Sequence, residues 1–424
     1  MIDKERNVVL ISVDSLSTID MEMMDRLPNM RILAENGTLI RRIRGIYPTQ
    51  TYPLHVSAIT GVYPVSHGII SNTKNTPGEE NPEWFWYRKE IKSETLYDAA
   101  KKAGFRVGSL LWPAAGGAKI DYNLPEIVPI REDQNVLKMV FAAGTPFFIL
   151  NMKRKFGHLL EGMERAHLDS FLASCACYLL KKKKTNLLLI HFLDLDHTRH
   201  NSGFLSKEAG DSLMELDRKI GDIISTVKEA GNIGNTTFII FGDHAHRDVR
   251  HSICLNSIFR KEGLYDANIN PGEWRAWANS CDGSAHVYLS DRDNRNDEQI
   301  VFRILQRIKK ETNAIRAIYK REEIKKLNLS NEIDFIVEAA EGYYFSNSIS
   351  GSLIDKSKYI ATHGYLPESG KDYSSLFIAS GNGIGKGLVL EDMDIIDIAP
   401  TIAALMGVSM PGVDGRVLRE ILTI

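Results

Sequence analysis

The chain has 424 residues, of which 43% are hydrophobic and 25% are charged, and its formal net charge is -2. These values are ordinary for a globular protein that folds as one large domain with an insertion or as two domains. A net charge so close to zero excludes a whole-chain bias toward nucleic acid or toward an acidic surface.

The N-terminus is charged and leads directly into a strand-like apolar run, Val8 to Val13. This run is too short for the hydrophobic region of a signal peptide, and no stretch approaches the roughly 18 apolar residues of a transmembrane helix. We therefore predict a soluble, cytoplasmic protein with no membrane partner. A secreted protein that has lost its leader is the alternative that these features leave open.

Strands and helices alternate through the first part of the chain. Buried strands are predicted over 7–12, 106–111, 187–193 and 237–241. Helices are predicted from Leu27 to Gly37, from a Ser93 cap to Ala103, over 135–180, and along an apolar face from Leu213 to Val227 that Gly231 closes. This order is typical of an α/β fold with a mostly parallel central sheet and helices on both faces.

The alternation of apolar strands and helices stops between about residues 253 and 349, where charged helical stretches mix with short strands. Helices are predicted there over 297–312 and 321–327, and strands over 286–289 and 334–338. The α/β pattern then resumes with a strand over 376–379 and a helix that carries Ile395, Ile398, Ile402 and Leu405. We therefore predict a core made of residues 1–252 and 350–424, with residues 253–349 inserted as a smaller, cap-like α+β subdomain.

The four cysteines form no C-x-x-C pair, and the two close ones, Cys175 and Cys177, would face apart on a helix. A disulfide framework and a thiolate zinc site are both disfavoured by this spacing. We expect Cys175, Cys177, Cys254 and Cys281 to be buried small apolar residues.

Seven residues of the kind that bind metals lie at or just past the end of a predicted strand, or in a loop. In chain order they are Asp14, Thr51, Asp196, His200, Asp243, His244 and His363. A parallel sheet brings the carboxyl ends of its strands to one edge, so these side chains could hold a pair of divalent ions there. A mixed Asp/His set favours Zn²⁺ or a similar transition metal over Mg²⁺ or Ca²⁺. An alcohol among them suits a metal-activated nucleophile.

The spacing of these residues suggests how they could share ions. Asp196 and His200 are four residues apart, so they lie on one face if the segment turns helically. The adjacent pair Asp243 and His244 could hold one ion together only in a bent loop, or the two side chains could contact different partners. His363 lies in a loop where the following glycine permits close backbone approach.

Other residues near these positions have simpler interpretations. His197 is predicted to be a surface group or to contact the ligands from outside, and His246 is predicted to do the same or to be exposed. Taken alone, Asp14 resembles a helix N-cap, and the hydroxyls of Thr49 and Thr51 resemble turn or cap groups.

The stretch Y-P-T-Q-T-Y-P-L-H-V-S-A-I-T-G-V-Y-P-V-S-H-G-I-I-S-N, which ends at Asn72, resembles the nucleophile region of a known family. The family is the nucleotide pyrophosphatase/phosphodiesterases of the alkaline phosphatase superfamily. V-L-I-S-V-D, D-x-x-x-H, D-H, H-G-Y and the closing D-I-A-P-T-I-A-A-L-M-G also resemble it, from about Asn7 to Leu418. The resemblance implies an alkaline-phosphatase-like core.

The resemblance also implies two bound metal ions, usually zinc, with manganese as the other candidate. One ion would be held by Asp196, His200 and His363. The other would be held by Asp14, Asp243, His244 and the oxygen of Thr51.

The resemblance further implies that Thr51 is the nucleophile and forms a phospho-threonine intermediate, and that the Asn72 amide donates to a phosphoryl oxygen. The implied function is hydrolysis of phosphodiester or pyrophosphate bonds. The expected partner is a small phosphoester, nucleotide or phosphonate substrate, with no nucleic-acid-binding signal and with the oligomeric state open.

Two departures from the family leave the substrate open. Leu54 stands where the family often has asparagine, and Ala245 stands where it often has glycine. Side chains that could stack on a base or an aryl group are Tyr52, Trp112, Tyr343 and Tyr344.

The alternative enzyme is a phosphonate C–P hydrolase that resembles phosphonoacetate hydrolase, because those relatives share the threonine and the ligand set. A catalytically silent binding protein on this fold is disfavoured, because such a chain is expected to lose a ligand or the nucleophile.

Overall fold

A mixed sheet of eight strands forms the centre of the computed structural model, which describes residues 5–160, 165–265, 274–367, 370 and 372–424. Within these residues the strands are β1 (Asn7–Val13), β2 (Gly37–Arg44), β3 (Val107–Leu110), β4 (Tyr122–Leu124), β5 (Leu187–Phe192), β6 (Thr236–Phe241), β7 (Arg247–Ile253), β8 (Ala276–Cys281), β9 (Ser284–Leu289), β10 (Ile315–Lys320), β11 (Phe335–Ala339), β12 (Gly342–Phe345), β13 (Ile354–Lys356), β14 (Ala361–Thr362), β15 (Ser375–Gly381) and β16 (Leu388–Asp394).

The α-helices of the described residues flank and connect these strands. They are α1 (Pro28–Glu35), α2 (Thr51–Thr60), α3 (Pro64–His67), α4 (Leu96–Lys102), α5 (Val136–Ala143), α6 (Pro146–Phe156), α7 (Arg165–Lys181), α8 (Asp194–Ser202), α9 (Lys207–Glu229), α10 (Leu255–Lys261), α11 (Arg295–Thr312), α12 (Arg321–Lys325) and α13 (Ile398–Met406). Short 3-10 helices cover Thr18–Arg26, Arg88–Glu90, Gly157–Leu160, Ile233–Asn235, Ile395–Asp397 and Arg419–Ile421.

The strand order in the central sheet is β16-β2-β15-β6-β1-β5-β3-β4. Neighbouring strands run parallel, except that β15 is antiparallel to both β2 and β6. The predicted α/β class with a mostly parallel sheet is therefore confirmed.

Helices cover both faces of this sheet, as predicted. In the central strand β1, Val9 and Ile11 pack into a core that includes α1, α7 and α9. Val8 and Leu10 pack into the opposite core with α2, α4 and α13. All seven residues of β1 are buried, which explains why the strand is a continuous apolar run and does not alternate apolar and polar residues.

A second sheet lies within the predicted insertion and has the order β10-β11-β9-β8, with every pairing antiparallel. The apolar face of α11 packs against it. A third, smaller sheet is built on β7, which pairs with β12, β13 and β14. In this third sheet, β7 from the predicted core pairs with β12 from the predicted insertion. The boundaries at residues 253 and 349 therefore remain a prediction.

The start of α4 differs from the sequence prediction. The N-cap is Thr95 and not Ser93, because the Thr95 side chain accepts a hydrogen bond from the Asp98 backbone N–H at 3.2 Å. The Asp98 carboxylate accepts the Thr95 backbone N–H in return, which completes a capping box. Among the residues that the structure describes, no helix has the length and apolar character needed to span a bilayer.

Candidate metal centre

Three aspartates follow the three central strands of the main sheet. Asp14 comes directly after β1, Asp243 comes two residues after β6, and Asp196 lies in α8, which begins two residues after β5. Since β5, β1 and β6 are neighbours in the sheet, the three carboxylates meet at its carboxyl edge. This is the edge where open α/β sheets usually bind ligands.

The remaining predicted residues reach the same place from other elements. Thr51 is the first residue of α2, His200 is one turn beyond Asp196 in α8, and His363 follows β14. His244 lies with its Nε2 atom 3.2 Å from Thr51 Oγ1. The structure thus brings all seven ligand-type residues together, although Thr51, Asp196 and His200 lie in helices and not in loops.

Asp14, Asp243, His244 and the Thr51 hydroxyl form the deeper part of the site, which we call the acidic group. His244 Nε2 lies 3.3 Å from Asp14 Oδ1 and 3.3 Å from Asp243 Oδ2. Those two carboxylate oxygens are buried and have no hydrogen-bond partner among the described residues. Buried polar atoms nearly always have a partner, so the arrangement fits oxygens that bind a cation.

The other oxygen of each of these carboxylates is held in place by the protein. Asp243 Oδ1 accepts the backbone N–H of Ser15 and that of His244, both at 2.9 Å. Asp14 Oδ2 contacts His191 Nε2 at 3.1 Å. Each aspartate therefore directs its free oxygen toward His244 Nε2.

Asp196, His200, His246 and His363 form the second part, which we call the histidine-rich group. Their Nε2 atoms lie 3.5 Å (His200), 3.4 Å (His246) and 3.9 Å (His363) from Asp196 Oδ1. His200 Nδ1 donates to the Ala361 carbonyl at 2.8 Å, and His363 Nδ1 donates to the Thr49 carbonyl at 3.0 Å. A carbonyl can only accept, so both rings carry their proton on Nδ1 and leave the Nε2 lone pair free for an ion.

For His246 the structure excludes one of the two predicted alternatives. The residue is buried and not exposed, and its Nε2 atom contacts the proposed ligand Asp196. The spacing held a signal: His244 and His246 are two residues apart, and such residues point to the same side of an extended segment.

Burial and crowding shift the pKa values of the site residues. Burial, together with nearby Asp196 and Asp243, raises the pKa of Asp14 well above its usual range. Burial also raises the pKa of Asp243 to about 7. Carboxylates packed this closely ionise together only beside a compensating cation.

The imidazoles shift in the direction that suits metal binding. Burial, followed by the neighbouring histidines, lowers the pKa of His244 and of His246 well below the usual value. Burial lowers the pKa of His363 as well. A histidine binds a metal in its neutral form, so the protein already holds these rings in the state that a metal requires.

Two buried histidines that the sequence did not single out support the acidic group. His55 Nδ1 contacts the Thr51 carbonyl at 2.8 Å and lies 3.5 Å from Asp243 Oδ2. Burial lowers the pKa of His191, but the carboxyl groups of Asp14 and Glu126, at 3.1 Å and 3.6 Å, outweigh this effect and raise the pKa well above the usual value. His191 thus contacts the Asp14 oxygen that does not face His244.

Asn72 is oriented by its hydrogen bonds. Its Oδ1 atom accepts the Tyr52 backbone N–H at 2.9 Å, which turns the amide nitrogen away from that contact. The Asn72 backbone N–H donates to Gln50 Oε1 at 3.0 Å, and Gln50 Nε2 donates to Asp282 Oδ2 at 2.8 Å. Gln50 thus connects Asn72 with the inserted region.

Thr51 and Asn72 line a cavity of about 700 Å³ that opens from the metal centre. Of the four aromatic residues proposed to stack on a substrate, only Tyr344 lines this cavity. Tyr52 and Trp112 are fully buried in the core, and Tyr343 stacks on His251 with ring centroids 5.3 Å apart. The cavity aromatics that the sequence analysis missed are Trp84, Phe345 and Tyr359.

A comparison with protein families matches residues 8–366 to the model described as type I phosphodiesterase / nucleotide pyrophosphatase. Human ectonucleotide pyrophosphatase/phosphodiesterase family member 1 is 26% identical over 251 residues, which are 57% of this chain and 23% of that protein. Venom phosphodiesterase 2 of Crotalus adamanteus is 24% identical over 254 residues, which are 57% of this chain and 27% of that protein. The chain therefore spans about a quarter of the length of these curated relatives.

Solved structures have the same fold. Murine ectonucleotide pyrophosphatase / phosphodiesterase 5 superposes with a TM-score of 0.69 and 18% identity, over 99% of this chain and 100% of that one. An inactive variant of the murine protein, in complex with AMP, superposes with a TM-score of 0.68 and 18% identity over the same shares. At this level of identity the likeness concerns the fold.

Proposed function

Because the chain belongs to the type I phosphodiesterase / nucleotide pyrophosphatase family, we propose that it is a two-metal hydrolase of phosphodiester or pyrophosphate bonds. The observation that carries this proposal is the meeting of two unpartnered buried carboxylate oxygens, His244 Nε2 and the Thr51 hydroxyl at one point. A threonine in such a place has neighbours that suit an activated alkoxide.

The proposed ligands are those that converge in the two groups. Asp14, Asp243, His244 and the Thr51 oxygen would hold one ion, and Asp196, His200 and His363 would hold the other. Zinc is the proposed metal and manganese is the alternative, because mixed oxygen and imidazole donors suit both. When bound, the ions supply positive charge that lowers the pKa of the threonine hydroxyl and stabilises the phosphoryl oxygens.

Thr51 is the proposed nucleophile. Its Oγ1 atom forms a bond to phosphorus as the bond from phosphorus to the leaving oxygen breaks, which gives a phospho-threonine. Water then forms a new bond to phosphorus and releases the threonine oxygen, so that each turnover consumes one water molecule.

Asn72 is the proposed donor to a phosphoryl oxygen. Its amide carbonyl is already engaged by the Tyr52 backbone N–H, so the amide nitrogen is the end that remains for the substrate. One donor at a developing charge is typically worth about 10²–10³-fold in rate.

The substrate proposed for this site is a nucleotide-type phosphodiester or pyrophosphate. The cavity has aromatic side chains that can stack on a base, and Arg165 and Lys358 also line it. AMP is bound by a protein of the same fold, which supports a nucleotide. The inserted region contributes to this side of the cavity through Ser280 and Asp282, so we propose that it takes part in substrate selection.

A substrate panel tests this proposal. The purified protein, loaded with Zn²⁺ and separately with Mn²⁺, is assayed against an aryl phosphodiester, a nucleoside triphosphate, an aryl monoester and phosphonoacetate. We expect about two ions per chain by elemental analysis, and faster turnover of the diester and the triphosphate than of the monoester. Turnover of phosphonoacetate alone would move the assignment to a phosphonate hydrolase, and full activity in EDTA would contradict a metal mechanism.

A further inference from the structure

His246 lies in the segment between β6 and β7, only 1% exposed. Its Nε2 atom is 3.4 Å from Asp196 Oδ1. Both atoms are buried, and neither has a hydrogen-bond partner among the described residues. The pair is therefore close without forming a hydrogen bond, although both atoms need a partner.

The other nitrogen of His246 is already engaged. His246 Nδ1 lies 2.7 Å from Ser15 Oγ. That hydroxyl also accepts a hydrogen bond from Arg199 Nη1 at 3.2 Å. In the tautomer with the His246 proton on Nδ1, Ser15 Oγ accepts from both His246 and Arg199, and the Nε2 lone pair faces Asp196. His200 and His363 are oriented in the same way by backbone carbonyls.

The residues that hold the Ser15 partner of His246 in place are buried and hydrogen-bonded. Arg199 is 2% exposed, and its guanidinium donates to the Ser15 carbonyl and to Asp20 Oδ1, the latter at 2.6 Å. Arg199 and Ser15 are sequence neighbours of the proposed ligands His200 and Asp14. The contacts that fix His246 are therefore built from the elements that carry both halves of the metal centre.

The rings of the histidine-rich group surround one point. The His246 ring centroid lies 4.6 Å from that of His200 and 5.2 Å from that of His363. One donor atom from each of the four residues lies within 4.8 Å of the others. Tetrahedral ligands at about 2 Å from one ion lie roughly 3.3 Å apart. The Nε2 atoms lie 3.4–3.9 Å from Asp196 Oδ1, so a small adjustment of the side chains would fit an ion.

We propose that His246 is a fourth protein ligand of the ion held by Asp196, His200 and His363, an inference that rests on the proposed two-metal function. This ion would then be bound by three imidazoles and one carboxylate. Four protein ligands are typical of a closed, tightly held zinc site, whereas three leave a position open. Nitrogen-rich donors also favour zinc, cobalt, nickel or copper over manganese and magnesium.

Metal affinity is the first test. The metal-free protein and the His246→Ala, His200→Ala and His158→Ala variants are titrated with Co²⁺ against a chromophoric chelator, and visible absorption spectra are recorded. His158 is an exposed histidine remote from the site in sequence, so it controls for loss of an imidazole. We expect His246→Ala, like His200→Ala, to lower the Co²⁺ affinity of one of the two sites by more than about 100-fold and to change the Co²⁺ spectrum.

A matched variant separates binding from support. Ser15→Ala keeps the His246 imidazole but removes its Nδ1 partner, together with the contact of that hydroxyl to Arg199 Nη1. We therefore expect a smaller loss, about 10–100-fold, at the same ion. An affinity of His246→Ala within 10-fold of the wild type, with an unchanged Co²⁺ spectrum, would overturn the proposal.

A crystal structure of the zinc-loaded wild type gives a measurement that does not depend on how any variant folds. We expect an Nε2–Zn distance of about 2.0–2.1 Å for His246. A distance beyond 3 Å, with both ions present, would reject His246 as a ligand and leave the proposed function intact. A wild type that binds no ion would overturn the proposed function itself.

Discussion

The acidic group and the histidine-rich group use similar residues in different surroundings. Asp243 and His244 have fully buried side chains, whereas the side chains of Asp196 and His200 are 19% and 16% exposed toward the cavity. Without an ion, the first group contains buried carboxylates whose pKa values are raised. The second contains three imidazoles around one carboxylate, and burial lowers the pKa values of two of them, His246 and His363.

This difference in burial and charge predicts that metal binding by the two groups depends differently on pH. A buried pair of carboxylates needs a cation or protons to be tolerated, so the acidic group links metal binding closely to pH. Neutral imidazoles need neither, and the lowered pKa values of His246 and His363 keep these two rings neutral to more acidic pH. The proposed nucleophile, Thr51, belongs to the group with the buried carboxylates.

The largest expected effect tests whether Thr51, in the acidic group, is the nucleophile. Thr51→Ala should lower turnover of a phosphodiester by at least about 10³-fold, because the attacking atom is lost while charge stabilisation remains. Both ions should stay bound, since three ligands of the acidic group persist. Steady-state kinetics and elemental analysis measure the two effects.

Thr51→Ser is the matched control, because it keeps the hydroxyl and should retain substantial activity. Normal diester turnover by Thr51→Ala would end the proposed mechanism.

Separate removal of the ligands tests whether the two groups are independent. Asp243→Ala should weaken only the ion of the acidic group, and His363→Ala only the other, each by more than the roughly 100-fold limit of outer contacts. Isothermal titration of the metal-free variants with Zn²⁺ resolves the two events. If either variant loses both ions together, the division into two groups is wrong.

Asn72 lies outside both groups and should affect the rate without affecting the metals. Asn72→Ala should lower kcat for a diester by roughly 10²-fold, the usual effect of losing one donor to a developing charge. Asn72→Asp is the informative companion, because it keeps the acceptor for the Tyr52 backbone N–H while removing the donor. Loss of bound metal in Asn72→Ala would show that the residue has a different role.

The smallest expected effect is a difference between the two groups in the pH at which they release their ions. The pKa of Asp243 is raised to about 7 by burial, so below that pH a proton competes with the ion of the acidic group. The pKa values of His246 and His363 are lowered by burial, so protons compete with the other ion for these two rings at more acidic pH.

We therefore expect the affinity of the acidic group for its ion to fall between pH 8 and pH 6. Below pH 7 the fall should be about tenfold per pH unit for each proton that the group takes up. Activity should rise from about pH 6 toward alkaline values. Chelator competition at several pH values measures the release, and earlier release from the histidine-rich group would reverse the comparison.

Much of the fold follows from local patterns along the chain. The apolar runs that became β1, β5 and β6 are recognisable because a central parallel strand is buried on both faces. The apolar face of α9 has the helical period, and its residues pack into the core as predicted. The cap of α4 was misplaced by two residues, because Ser93 and Thr95 are equally good caps until the Asp98 contact is known.

The candidate site was harder to derive in full from the sequence. Its aspartates follow strands, and their order along the chain places them at one sheet edge. His191 carried no comparable signal, because a lone histidine in an apolar strand is consistent with many environments. For His246 the one signal was its two-residue spacing from His244. The aromatic residues were judged by type alone, so Tyr52 and Trp112 were proposed for a cavity that they do not reach.

The sequence by itself determined the α/β class, the order of the strands that carry polar ends, and the family resemblance, because periodicity and residue order are local properties of the chain. Only the tertiary structure decided which atoms converge, how deeply they are buried and which oxygen of each aspartate is free. Those properties depend on segments distant in sequence, such as Ser15 with His246 and Thr49 with His363. Long-range contacts of this kind set the pKa values and direct the lone pairs, and these in turn divide the metal centre into two unlike halves.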